Sequence, residues 1–302
     1  MTDIAANAPG LQARSAPAVS GDRPRDGGRF ALVDLSPIAG SASRFGHLAQ
    51  WRGRALRVGV PLLILLAWQL SSWLGLVAPE VLPPPTAIYA AFVELIVHGD
   101  LQEALPVSLT RSLVGLAIGG TAGLLLGLFA GLWRTGEEIF DAPLQMLRTI
   151  PFIALVPLFI VWFGIDEFAK IVVITAATIF PMYLNTYAGV RGVDPKLIEA
   201  ARTFDLSRSQ TILHVILPVA LPSVLVGLRY AAGVSLLALV VAEQINAHSG
   251  LGYILNVANM NQRSDIIIVG ILVYAALGIT TDLVMRALER LALPWRPNIA
   301  LD

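Results

Sequence analysis

Arg229 is the residue with the sharpest chemical meaning in this chain. It sits well inside the apolar run Ala220–Ala242, with no acid near it on its own helix. An arginine at the centre of a membrane helix costs about 2.5–3.5 kcal/mol on insertion scales, so it must face the protein interior. Two readings stand, an ion pair across helices or contact with a passing solute. An anionic solute would favour the second, through a bidentate guanidinium contact. Glu243, at the far end of the same run, and Asn185, in the run before it, are further candidates for a substrate pathway. Glu243 lies roughly 21 Å along the helix from Arg229, too far to pair with it. Gln69 and Asp282 read as hydrogen-bonding groups between helices, and Lys170 as an i,i+3 partner of Glu167 with an apolar stem.

Covalent chemistry finds no support. There is no cysteine, and His47, His98, His214 and His248 are too scattered to nominate a metal site. No H-E-x-x-H and no G-x-x-x-x-G-K-[ST] phosphate loop occurs. No catalytic, cofactor-binding or metal-binding residue is nominated.

The elements that must position these residues are membrane helices. Of 302 residues 56% are hydrophobic and only 14% charged, with a mean hydropathy of +0.71. Soluble domains carry about 25% charged residues, so a soluble enzyme is excluded. Zero formal net charge argues against a nucleic-acid partner. Six stretches approach the roughly 20 apolar residues a span requires: Val58–Leu76, Leu113–Trp133, Ile150–Phe163, Ile171–Val190, Ala220–Ala242 and Ile266–Met285. The third is short unless it begins near Pro143. Backbone groups cannot stay unpaired in lipid, and these runs are too long for barrel strands, so the spans are helices.

Of the 21 Lys and Arg, only Arg111, Lys170 and Arg263 fall on the outer side of this topology, and Arg229 lies inside a span. The positive-inside bias therefore puts both termini in the cytoplasm. No secretory h-region is found near the start, and residues 1–55 read as a flexible cytoplasmic tail with a short ordered stretch around Phe30–Leu35. The first span occupies 56–78. An external connection, 79–112, carries an amphipathic helix from an N-cap at Thr86 to a stop at Gly99. A core of five spans follows over 113–290, and 291–302 is a second cytoplasmic tail.

Gly115, Gly119, Gly123, Gly127 and Gly131 recur every four residues, a spacing that lets a second helix approach closely. A substrate-lining groove and a dimer contact are the minority readings of the same ridge. Within the loop 191–218, Asp194-Pro195 reads as an N-cap with proline at the first helical position. Ser207-Arg208-Ser209-Gln210 fits a capping box. Two short helices joined around Phe204-Asp205-Leu206 exceed what a connector needs, and look like a docking surface for a soluble partner.

Glu199-Ala200-Ala201, Asp205 and Val215-Ile216-Leu217-Pro218 resemble the E-A-A-x3-G-x9-I-x-L-P signature of ABC importer permeases. Asp205 replaces the usual glycine, and Val215 the usual isoleucine. The glycine position points to a left-handed turn, which Asp adopts less readily. Similar residues run from about Pro79 to Trp295, among them Leu147-Arg148-Thr149-Ile150-Pro151, Gly227-Leu228-Arg229 and Gly250-Leu251-Gly252-Tyr253. They look most like the permeases for aliphatic sulfonates, taurine, nitrate and bicarbonate.

The resemblance implies an all-α, six-helix, type I ABC importer permease of MetI-like fold in the cell inner membrane. It implies that a cytoplasmic ABC ATPase dimer, which holds the ATP and Mg, docks on Glu199, Ala200, Ala201, Arg202, Asp205, Leu217 and Pro218. An extracytoplasmic substrate-binding protein would deliver solute to two permease copies, most simply a homodimer, surrounded by lipid. A secondary transporter driven by an ion gradient is the alternative. It usually carries both repeats in one chain, and none is visible here. An intramembrane enzyme is a further rival, without a recognisable nucleophile or metal set.

Overall fold

The computed structural model describes residues 45–244 and 247–295. The tail residues 1–44, with the stretch Phe30–Leu35, and residues 296–302 lie outside the described residues, as does the side chain of Arg148. The described chain is all-helical: α1 (Phe45–Trp73), α2 (Pro85–Val97), α3 (Asp100–Leu132), α4 (Arg134–Arg148), α5 (Phe152–Phe163), α6 (Glu167–Arg191), α7 (Pro195–Thr203), α8 (Arg208–Thr211), α9 (Leu217–Gln244), α10 (Leu251–Met260) and α11 (Ser264–Ala292). A π-helical turn, Ile212–Ile216, joins α8 to α9. Arg208–Gln244 is therefore one continuous helix of 37 residues, about 55 Å long. The contacts described here lie within the unit that begins at Gly59.

By length and composition, four described helices can cross a membrane: α3, α6, Arg208–Gln244 and α11. A fifth candidate is the pair α4–α5, bent by 99° at its break. The expected third span is thus corrected. α5 has only 12 residues, about 18 Å of helix, because Pro151 ends the preceding helix and restarts the chain. The apolar helix Gly59–Trp73 is shorter than a full span.

Several boundaries differ from the sequence expectation. α1 starts at Phe45, so residues 45–55 are helical. α3 begins at Asp100 instead of Leu113 and runs through Pro106. Left-handed Gly99 (φ 86°) ends α2 and directly precedes α3, and Asp100 and Glu103 favour the new N-terminus. Thr86 is no N-cap: α2 starts at Pro85, whose fixed φ suits the first helical position. Thr86 instead meets the amide of Gln69 through both its N–H and its hydroxyl, each at 3.3 Å, which holds α2 to α1. The helix α10 was not foreseen.

α6 is the central post. On one side the glycine ridge of α3 lies against it with constant offset. A Cβ at Gly115, Gly127 or Gly131 would stand 2.5–2.7 Å from Ile174, Thr186 or Val190, and one at Gly123 would stand 2.8 Å from Met182 Cβ. The ridge is therefore filled from within the chain. On its other side α6 meets α9 running antiparallel, where Gly189 faces Ser223 and Gly227 faces Asn185. Ala231, Ala238 and Ala242 extend this small-residue face of α9. Ile88, Ala91 and Leu95 of α2 pack with Leu101, Ala104, Leu251 and Val269 near the start of α3. The bundle thus has a hairpin end, carrying α7 and α8, and an opposite end, carrying α2, α10 and the start of α6.

Candidate functional site

The hairpin end is built by local rules. Asp194 accepts from the N–H of Lys196 at 2.9 Å and caps α7. Ser207 accepts from the N–H of Gln210, whose side chain accepts in return from the Ser207 N–H at 2.9 Å. Between the two helices Asp205 takes φ 54°, the left-handed backbone. Asp tolerates this conformation better than most non-glycine residues. Ala201 is buried against the bundle, whereas Glu199, Ala200 and Arg202 are exposed, and Leu217 and Pro218 are half-buried. Phe204, at the tip of the turn, is 80% exposed. A protruding aromatic beside two small residues offers a knob for another protein surface.

Inside the hairpin end, α4 is tied to the lower part of α6. Glu137 accepts from Tyr187 Oη at 2.6 Å and pairs with Arg191. Asp141 accepts from Tyr183 Oη at 3.0 Å, and the two tyrosine rings stack. These acids were not singled out from the sequence, where nothing marks partners so far apart in the chain.

The three pathway candidates do not come together. Arg229 Nε donates to Asp282 Oδ1 at 2.8 Å, and Asp282 Oδ2 accepts from Arg286 Nε at 2.8 Å. The guanidinium of Arg229 thus has its acid on α11 while its side chain stays 36% exposed. Asn185 Nδ2 donates to the Pro181 carbonyl on its own helix. Glu243 lies at the opposite end of the bundle with 0% exposure, facing only protein groups in this conformation.

Around Glu243 the structure assembles a charged seam that sequence reasoning missed. Its Oε1 accepts from Ser108 Oγ at 2.7 Å and Arg111 Nη1 at 2.6 Å. Its Oε2 accepts from the N–H of Gly252 and from Tyr274 Oη, both at 2.9 Å. Arg111, 3% exposed, also grips Glu167 with Nε and Nη2 at 2.5 and 2.6 Å, and donates to the Ser249 carbonyl and Oγ. Lys170 joins at Glu167 Oε1, at 2.7 Å, and is itself buried. The expected Glu167–Lys170 pair is therefore part of a larger cluster in which Arg111, Lys170 and Glu243 are buried and Glu167 is exposed, and Arg111 is a helix residue inside the bundle instead of a loop charge.

Glu243 also completes the start of α10. Ser108 Oγ accepts from the Leu251 N–H at 2.8 Å, and Glu243 takes that of Gly252, so two unpaired helix-start donors face oxygen acceptors. Gly250 has φ 100°, and a Cβ there would collide with Glu243 and Arg111. That is the physical content of Gly250-Leu251-Gly252. The third basic residue of this end, Arg263, bonds Glu94 on α2 at 2.8 Å and Asp265 at 2.9 Å. The Arg263 guanidinium holds the Glu94 carboxyl below its usual range.

A family model described as the inner membrane component of binding-protein-dependent transport systems matches residues 123–293. A protein of Escherichia coli (strain K12) named as an aliphatic sulfonates transport permease, SsuC, is 45% identical over 82% of this chain and 94% of its own length. Its namesake in Bacillus subtilis (strain 168) is 43% identical over 78% of this chain and 86% of its own. The taurine transport system permease protein TauC of Escherichia coli (strain K12) is 34% identical over 81% and 90%. Among solved structures, an amino acid ABC transporter crystallised with histidines shares the fold. Its TM-score is 0.56 at 18% identity, covering 67% of this chain and 96% of that one.

Proposed function

This chain belongs to the binding-protein-dependent transport system inner membrane components and is a multi-pass permease subunit of an ABC importer; from that premise we propose that it moves a small anion inward by alternating access, driven by a separate ATPase. The solute class is an aliphatic sulfonate, taurine, nitrate or bicarbonate. Similarity to SsuC and TauC favours the first two. The observation that carries the coupling role is mechanical: α8 of the exposed hairpin is continuous, through the π turn, with the span α9. Movement of the hairpin that carries Glu199, Ala200 and Phe204 is therefore passed into the membrane along one continuous helix that starts at Arg208.

In this proposal the hairpin end is cytoplasmic. Arg134, Arg191, Lys196, Arg202, Arg208, Arg286 and Arg290 cluster there, while the basic residues of the opposite end are each paired with acids. Six spans cross the membrane, counting α1 and the bent pair α4–α5. An ATPase dimer with its ATP and Mg docks on the hairpins of two permease copies, and a binding protein delivers solute to the opposite end. This chain itself needs no cofactor. Lipid covers the apolar outer faces, such as Leu62–Leu66 of α1.

Proteoliposomes holding the permease and its ATPase, with binding protein outside, test the proposal. Uptake of a radiolabelled alkanesulfonate is expected to need ATP and to survive collapse of ion gradients. Uptake by the permease alone on an ion gradient would establish the secondary transporter instead. In the same vesicles Arg229→Ala is expected to lower uptake at least about tenfold while ATP hydrolysis continues, as loss of a solute-contacting guanidinium predicts. Loss of the assembled complex would instead assign Arg229 wholly to its ion pair with Asp282.

A further inference from the structure

We propose that Arg111 and Glu243 form a latch that closes the bundle at the end opposite the hairpin, and that α9 parts from α3 there in each transport cycle. The inference rests on the permease reading above, and it makes the two residues positioning groups for transport, with no solute contact required of either.

The seams of the bundle differ in kind. Between α3 and α6, and between α6 and α9, glycines and alanines interlock at backbone distance, and such surfaces cannot open without losing packing on both sides. The side-chain hydrogen bonds joining α3 to α9 are of another type: Ser112 Oγ to Ser235 Oγ at 3.0 Å, Ser108 to Glu243, and Arg111 to Glu243. Groups of this kind exchange their partners for water at small net cost. Buried ion pairs add little stability over apolar packing, and their best attested use is in setting register and switching. A charge pair with 3% and 0% exposure between two helices suits a contact that is made and broken.

Both ends of α9 fit such a lever. At the hairpin end the helix contains the π turn Ile212–Ile216, Pro218 and Pro222, where backbone hydrogen bonding is weakest and bending costs least. At the other end Glu243 holds the first N–H groups of α10 together with Ser108, so release of the latch also frees the start of that helix. Glu167 gives the latch an outward handle. It grips Arg111 from the far side and is 57% exposed, so a cation on a docked partner can compete for it.

The absence of native cysteine makes a direct test clean. The two serine Oγ atoms, 3.0 Å apart, bring a Ser112→Cys/Ser235→Cys pair within a small adjustment of disulfide geometry. The variant is assembled with ATPase and binding protein in proteoliposomes, oxidised with diamide and then reduced. Reduced protein is expected to take up solute, which reports the permease function itself. Oxidation is expected to cut uptake by about tenfold or more, with recovery on reduction, as locking one of two required states demands. Full uptake with the disulfide quantitatively formed would overturn the latch and leave the function intact.

Ser112→Cys alone supplies a second readout. Its side chain is buried, so an impermeant maleimide applied on the binding-protein side should label it during ATP-driven turnover and not at rest. Equal labelling in both conditions would likewise overturn the proposal, whether or not the double variant assembles.

Discussion

Arg111→Ala permease is expected to lose about 3–5 kcal/mol of folding stability, the range for breaking a buried ion pair from one side. The fully buried Glu243 carboxylate would keep Ser108, Gly252 N–H and Tyr274 but lose the cation bonded to it. The Ser249 carbonyl would lose its bond to the same guanidinium. Adding Glu243→Gln to Arg111→Ala should restore about half of the loss, because an amide carries no charge to bury unpaired. Thermal unfolding in detergent measures both steps. A single-variant loss under about 1 kcal/mol would mean that water reaches Glu243 readily and that the seam is no buried charge centre.

The second large effect lies at Gly123. A Cβ there would meet the Ile179 carbonyl, Met182 Cβ at 2.8 Å and the Tyr183 nitrogen at 3.0 Å. Two of these are backbone atoms, so no rotamer change relieves the clash, and Gly123→Leu must force α3 away from α6. Overpacking costs about 1–3 kcal/mol where neighbours can shift, and this site sits at the stiff end of that range. Gly120→Ala is the internal control. Beyond its chain neighbours and its own helix backbone, no atom stands within 4 Å of the position its Cβ would take, and alanine favours helix by up to about 1 kcal/mol over glycine. Accumulation of folded protein in the membrane and the melting temperature should fall for Gly123→Leu and hold or rise for Gly120→Ala.

The contrast between these two sites shows how far sequence alone could reach. A four-residue glycine period is a local pattern, and it pointed to close helix packing, although only the structure shows α6 as the partner. The hairpin was legible for the same reason: Asp194, Ser207 and Gln210 act on backbone groups two or three residues away. The left-handed turn at Asp205 followed from the motif the loop resembles.

Long-range chemistry was not legible. Arg111 and Glu243 are 132 positions apart, and in one dimension the first looked like a loop cation and the second like a pathway carboxylate. Their partnership arises because α3 and α9 flank α6, a topological fact that no local spacing encodes. α10 was hidden because it is short and uncapped by any side chain of its own: Ser108 and Glu243 do that work from other helices. The early start of α3 escaped because Pro106 reads as a helix breaker, yet α3 runs through it from Asp100.

The central claim is that the α7–α8 hairpin seats on a separate ATPase, and one crosslinking measurement tests it most directly. Phe204→Cys places the sole thiol of the chain at the exposed tip of the hairpin. Labelled with a benzophenone maleimide and irradiated in native membranes, it should yield one dominant adduct, identified by mass spectrometry as a protein with a G-x-x-x-x-G-K-[ST] loop. Adducts only with lipid or with a second permease copy, while uptake remains intact, would contradict the account.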